Sequence, residues 1–184
     1  MAARQESCSF TGHRPEKLPW GDNERDPRCE ALRRSIADAL ELAYEEGFRH
    51  FICGMAQGCD LYFCEAAQKL KRTRPGVTIE AALPYVGFAD RWASAQRVKY
   101  AELLRGCDNA VALSTVYTPY CALQRDRYLI DHASLLLAAY NGTPGGTRYT
   151  IEYALKRGVE VRYLPIEDAA DAIAEENDAY EPPF

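Results

Sequence analysis

Ser134-Leu-Leu-Leu-Ala-Ala-Tyr-Asn-Gly-Thr-Pro-Gly-Gly-Thr-Arg-Tyr-Thr-Ile-Glu-Tyr-Ala154 changes its hydrophobic period halfway along. Leu135–Ala139 is an unbroken apolar run of strand length, the pattern of a strand buried on both faces. Asn141–Gly146 is a turn rich in glycine. From Thr147 to Arg157 the apolar residues recur at helical spacing, with Ile151, Ala154 and Leu155 read as inward and Gly158 as the stop. Strand, glycine turn and helix in this order are half of a β-α-β unit.

The same order repeats on both sides of this stretch. Strands are expected at Cys8–Thr11, His50–Cys53, Val77–Leu83, Asn109–Leu113 and Val159–Leu164. Helices are expected at Arg28–Glu46, Leu61–Arg72, Ala89–Arg105, Tyr120–Asp131 and Ile166–Glu176. Leu32, Ile36, Leu40 and Ala43 share one helical face; Phe63, Ala66, Ala67 and Leu70 share another. Trp92, Ala95 and Val98 are the apolar residues of the third helix. Glu80 interrupts an apolar run, which predicts an edge position for its strand. The expected fold is α/β: a single Rossmann-like, doubly wound, mostly parallel sheet flanked by helices. One domain spans residues 1–176, and residues 177–184 read as a frayed tail.

The chain has 184 residues, 47% hydrophobic and 27% charged, which is globular and excludes collagen-like, coiled-coil and disordered classes. There is no apolar run of membrane-spanning length and no signal-peptide pattern near the start, so a cytoplasmic protein without membrane contact is expected. A net charge of -5 argues against binding nucleic acid through a basic footprint. Seven scattered cysteines without a C-x-x-C pair read as buried free thiols, and no metal is implied.

In an open parallel sheet, ligands bind at the carboxyl ends of the strands. Three loops there carry chemistry. Phe10-Thr-Gly-His-Arg-Pro15 follows the first strand: Gly12 permits close approach, Arg14 offers a guanidinium fork, and His13 offers a ring nitrogen. The irregular stretch from Gly12 to Asp26 is long for a plain connection. Cys53-Gly-Met-Ala-Gln-Gly-Cys-Asp60 leads into a helix. Gly54, Ala56 and Gly58 are expected to leave N–H groups open to an anion, and Asp60 to cap the helix or hold a ribose hydroxyl. Gly145, Gly146 and Thr147 open the next helix as a second cradle. Arg125 and Arg127 supply further positive charge, and Glu152 stands in the helix after the second cradle.

Together these segments resemble the SLOG superfamily, which joins the Smf/DprA and LOG proteins, and within it the YpsA-like branch. The matching stretches are Phe10–Gly21, Gly54–Asp60, Leu83-Pro-Tyr85, Arg125–Asp131 and Tyr140–Ala154. The resemblance implies a Rossmann-like domain that binds nucleotides or nucleotide-derived molecules, mainly as a ligand sensor, and related families imply a homodimer. LOG-type members are phosphoribohydrolases that cleave the N-glycosidic bond of a nucleoside monophosphate with an arginine and a glutamate. Pro144-Gly-Gly146 and Glu152 keep the spacing of that motif, and Arg125 falls where the arginine would lie, with Arg127 a near alternative. Arg148 and Tyr149 stand where it has Gly and Thr.

The expectation is therefore a small-molecule binder that requires no cofactor and takes a nucleotide-type ligand. Its site residues would be Gly12, His13, Arg14, Gly54, Ala56, Gly58, Asp60, Arg125, Arg127, Gly145, Gly146 and Thr147. The enzymatic alternative is a nucleotide N-glycosidase using Arg125 and Glu152; a more distant one is single-strand DNA binding like that of DprA.

Overall fold

Five apolar residues in a row need cover on both faces, and Leu135–Ala139 are all fully buried. In the computed structural model, which describes residues 4–166, they belong to a single parallel sheet. Its strands are β1 (Ser7–Gly12), β2 (His50–Cys53), β3 (Thr78–Leu83), β4 (Asn109–Ala112), β5 (Leu135–Tyr140) and β6 (Glu160–Pro165). Their order across the sheet is β4-β3-β2-β1-β5-β6, and every neighbouring pair is parallel.

The chain moves outward from β1 to β4, then jumps back to place β5 on the other side of β1. Right-handed crossovers then put α1 (Pro27–Glu45), α2 (Cys59–Thr73) and α3 (Ser94–Arg105) on one face, with α4 (Cys121–Asp131) and α5 (Gly146–Lys156) on the other. The contacts agree: α1 touches α2, α2 touches α3, and α4 touches α5. The switch point of strand order lies between β1 and β5.

Local chemistry sets the boundaries. Asp26 caps α1 by accepting from the Arg28 N–H at 2.9 Å, and Pro27 occupies the first turn. Cys29, Leu32, Ile36, Leu40 and Ala43 then line the buried side of that helix. Phe10 of β1 stacks on Phe63 of α2 with ring centroids 4.7 Å apart. All seven cysteines are free thiols, six of them buried.

Several expectations are corrected. The Val77–Leu83 strand is not at an edge: β3 pairs with β2 and β4, and β4 is the outer strand. Glu80 is buried because it is fully partnered: Tyr128 donates to it at 2.6 Å, Asn109 donates at 3.1 Å, and His50 Nε2 lies at 3.5 Å. α3 begins at Ser94 rather than Ala89, because tight turns at Gly87–Asp90 and Ala89–Trp92 occupy the residues before it. Those turns bring Trp92 onto Phe88 and Tyr100. Val98 and Leu155 face solvent, at 56% and 59% exposure, because each lies on the side of its helix turned from the sheet. The stretch after Gly12 contains a 3-10 turn, Pro15–Lys17. Almost all of the expected helix Ile166–Glu176, and the tail at 177–184, lie outside the described residues.

Glu80 gives the fold a pH signature. The His50 hydrogen bond, aided by Tyr128 and Asn109 against the cost of burial, lowers its carboxyl from 4.5 to about 2. A depressed carboxyl stabilises the fold above its unfolded value, and that contribution is lost as pH falls toward the folded one. Urea unfolding from pH 5 to pH 2 should therefore show a loss of stability that is smaller in Glu80→Gln. Equal slopes for the two proteins would contradict it.

Candidate functional site

The loops that leave β1, β2 and β5 meet at the switch point and enclose a cleft of about 190 Å³. Thr11, Gly12, His13, Arg14 and Lys17 form one wall; Ala56 and Asp60 come from the β2–α2 loop and α2; Gly146 and Thr147 open α5. The remaining wall is one face of α4: Ala122, Arg125, Asp126 and Leu129. Their spacing of three, four and seven residues is one helical stripe.

Arg125 is the buried centre of the cleft. Its guanidinium donates to the Gly54 carbonyl, to Asp126 at 2.8 Å and to Asp60 at 3.4 Å. Burial alone would weaken this charge, but Asp126 and Asp60 more than restore it and raise its pKa. Burial pushes the Asp60 carboxyl up to about 6, against the pull of Arg125. Asp60 does not cap the helix. Gly58 holds the N-cap position, and Asp60 sits in the first turn, accepting from the Ala56 N–H at 3.1 Å.

His13 joins the β1 and β5 loops. Asn141 Nδ2 donates to the Lys17 carbonyl at 3.3 Å, which orients the amide and leaves Oδ1 as acceptor. Oδ1 faces His13 Nε2 at 2.6 Å and also accepts from the Thr143 hydroxyl at 2.8 Å. Nε2 therefore carries the proton, and Nδ1 accepts from the Thr147 hydroxyl at 3.4 Å. Burial lowers the His13 pKa, which favours the neutral ring.

The two expected anion cradles differ. In the β2–α2 loop most donors are taken: Ala56 N–H by Asp60, Met55 N–H by Cys53 Sγ, and Cys59 N–H by the His13 carbonyl. Met55 adopts φ of 57°, a left-handed conformation uncommon for a side-chain-bearing residue. Gly54 and Gly58 do not line the cleft; they make room behind it. A Cβ on Gly54 would run into the Arg125 guanidinium, and one on Gly58, where φ is +83°, would lie 2.8 Å from the His13 carbonyl. A Cβ on Gly12 would overlap that of Cys59. At α5, by contrast, no acceptor among the described residues meets the N–H groups of Gly146 and Thr147. Both residues line the cleft at the positive end of that helix.

Arg14 lines the cleft with its side chain exposed and, among the described residues, without a hydrogen-bond or ion-pair partner. Lys17, which lines it too, donates to the Pro144 carbonyl. Gly145 lies outside, where a Cβ would meet Lys17 Nζ. Arg127 and Glu152 are exposed and do not reach the cleft. Both meet the residues that depart from the LOG pattern: Tyr149 accepts from Arg127 at 2.8 Å, and Arg148 pairs with Glu152 at 2.8 Å. Arg125 and Glu152 are thus not brought together. Thr11, Lys17, Asp126, Ala122 and Leu129 line the cleft beyond the residues expected there. The helical stripe through Arg125 contains the last three and excludes Arg127.

The profile named YpsA, described as the YspA SLOG family, matches residues 8–167. The chain belongs to the YspA SLOG family. A UPF0398 protein of Halalkalibacterium halodurans is 25% identical over 84% of this chain and 83% of its own length. Among solved structures, DNA processing protein A (DprA) of Streptococcus pneumoniae superposes with a TM-score of 0.61 at 15% identity, over 94% of this chain and 56% of that one. The structural-genomics target TM1055 gives 0.51 at 13% identity, over 95% and 99%. These likenesses show a shared Rossmann-like fold in a SLOG-family protein.

Removing one partner of a buried charge cluster leaves the others uncompensated. Arg125→Met should destabilise the protein by about 3–5 kcal/mol in urea unfolding. A variant as stable as the parent would mean that the two carboxylates find other partners.

Proposed function

We propose that this protein is a non-catalytic receptor for a nucleotide-type ligand, with the ribose phosphate held in the cleft at the switch point. The observation that carries this reading is the meeting of unpartnered Arg14 and the open Gly146 and Thr147 N–H groups in one cleft with the carboxylates of Asp60 and Asp126. Arg14 and the helix N-terminus favour an anion. The carboxylates repel a bare anion but accept hydrogen bonds from hydroxyls. A phosphorylated sugar supplies both kinds of group. A cavity of about 190 Å³ suits that part of a nucleotide better than the whole, since pockets for drug-sized ligands run from roughly 300 Å³ upward.

The N-glycosidase alternative is less well supported, because Glu152 is bound to Arg148 outside the cleft. A DprA of Helicobacter pylori is described as binding single-stranded DNA. For this chain a net charge of -5 argues against that partner. The cytosol, where thiols stay reduced, suits its seven free cysteines.

Arg14→Ala should weaken binding of adenosine monophosphate by about 1.5–3 kcal/mol in isothermal titration, the range for a hydrogen bond to a charged group. Unchanged affinity would remove Arg14 from the site. Incubated with a panel of nucleoside monophosphates, the wild-type protein should release no more free base than Glu152→Ala does. Robust release that disappears in the variant would promote the enzymatic alternative.

A further inference from the structure

Leu83-Pro84-Tyr85, one of the stretches carrying the family resemblance, has no part in the cleft described above. It opens the loop after β3, beside the loop after β4. We propose that these two loops form a second subsite, which holds the flat aromatic ring of the same ligand; for a nucleotide this is the base. The identity of the ring rests on the nucleotide reading, whereas the subsite rests on other residues.

The two loops border a space of about 550 Å³, walled by Tyr85, Val86, Val116 and Tyr117 together with the polar Asp90, Arg91 and Thr115. That volume lies within the range of small-molecule pockets, unlike the smaller cleft. Large apolar side chains scattered over a surface need no explanation, but a cluster does. Val86, Val116, Tyr117 and Tyr120 are between 60% and 69% exposed and all belong to these two loops.

The wall is preformed. The Val86 N–H donates to the Ser114 carbonyl at 3.0 Å, which fastens one loop to the other. The Ser114 hydroxyl donates to the Val116 carbonyl at 2.6 Å. Tyr85 is held edge to face by Phe88 on one side and Tyr117 on the other, each at 5.5 Å between ring centroids. Tyr117 keeps 68% of its surface exposed. An open tyrosine beside these side chains is a stacking platform for a flat π system.

Position ties this space to the ribose-phosphate cleft. β3 and β4 run parallel to β1, so their loops leave by the same edge of the sheet. Tyr117 walls the larger space and Ala122, five positions on, walls the smaller. Chain reach limits that separation to about 18 Å. A ligand with a sugar phosphate at one end and a ring at the other can engage both only by crossing that separation along the shared edge of the sheet.

The test compares ribose 5-phosphate with adenosine monophosphate by isothermal titration, in wild type, Tyr117→Ala and Tyr117→Phe. The expected result is that the nucleotide binds wild type about tenfold or more tightly than the sugar phosphate. Tyr117→Ala should weaken the nucleotide about fivefold or more, the low end for loss of one stacked base, and leave the sugar phosphate unchanged. Tyr117→Phe should retain nucleotide affinity. Equal affinity of the two ligands, or equal weakening of both by Tyr117→Ala, overturns the subsite. If neither phosphate binds, the nucleotide reading itself fails. Adenosine, followed by NMR shifts of the Val86 and Val116 methyl groups, then decides the ring subsite alone. Shifts seen in wild type and lost in Tyr117→Ala sustain it; their absence overturns it.

Discussion

Burying a guanidinium is costly unless its charge and its donors are met, and Arg125 meets three partners at once. The Gly54 carbonyl belongs to the β2–α2 loop, Asp60 to α2 and Asp126 to α4 itself. One side chain therefore fixes the distance between helices from opposite faces of the sheet. The geometry of the cleft depends on that distance. Gly54 is a glycine because the guanidinium occupies the space a side chain would need. The loop's N–H groups are aimed inward at Asp60 and Cys53, so the donors left for a ligand are those across the cleft at α5.

The fold was legible because a parallel sheet leaves a local record. Leu135–Ala139 has no polar residue, and Leu32, Ile36, Leu40 and Ala43 keep helical period, so neither needs tertiary information to be read. Glu80 was misread because its partners come from β2, β4 and α4, at separations no local window spans. The site was legible as a set of loops and less so as a set of atoms. Gly12, His13, Arg14, Ala56, Asp60, Arg125, Gly146 and Thr147 all line the cleft. The roles of Asp60 and Gly58 were not legible, since capping depends on backbone angles, and a glycine can serve a ligand or a neighbouring side chain.

Spacing and direction carry different information. Pro144-Gly-Gly146 and Glu152 stand at the separations of the LOG motif, yet Glu152 points along the outside of α5 toward Arg148. Tyr149 likewise holds Arg127 on the outer side of α4. The two residues past Thr147 that depart from the motif, Arg148 and Tyr149, are the partners of Glu152 and Arg127 on that outer surface.

The contact between the β1 loop and the start of α2 limits how this protein can change over generations. Gly12 abuts Cys59, and Gly58 abuts the His13 carbonyl, so the same junction is closed from both sides. A side chain gained at either position pushes apart the segments that the other holds together. New chemistry in the loops around this junction is therefore compatible with the fold, whereas a larger side chain at the junction first requires its neighbour to shrink or shift.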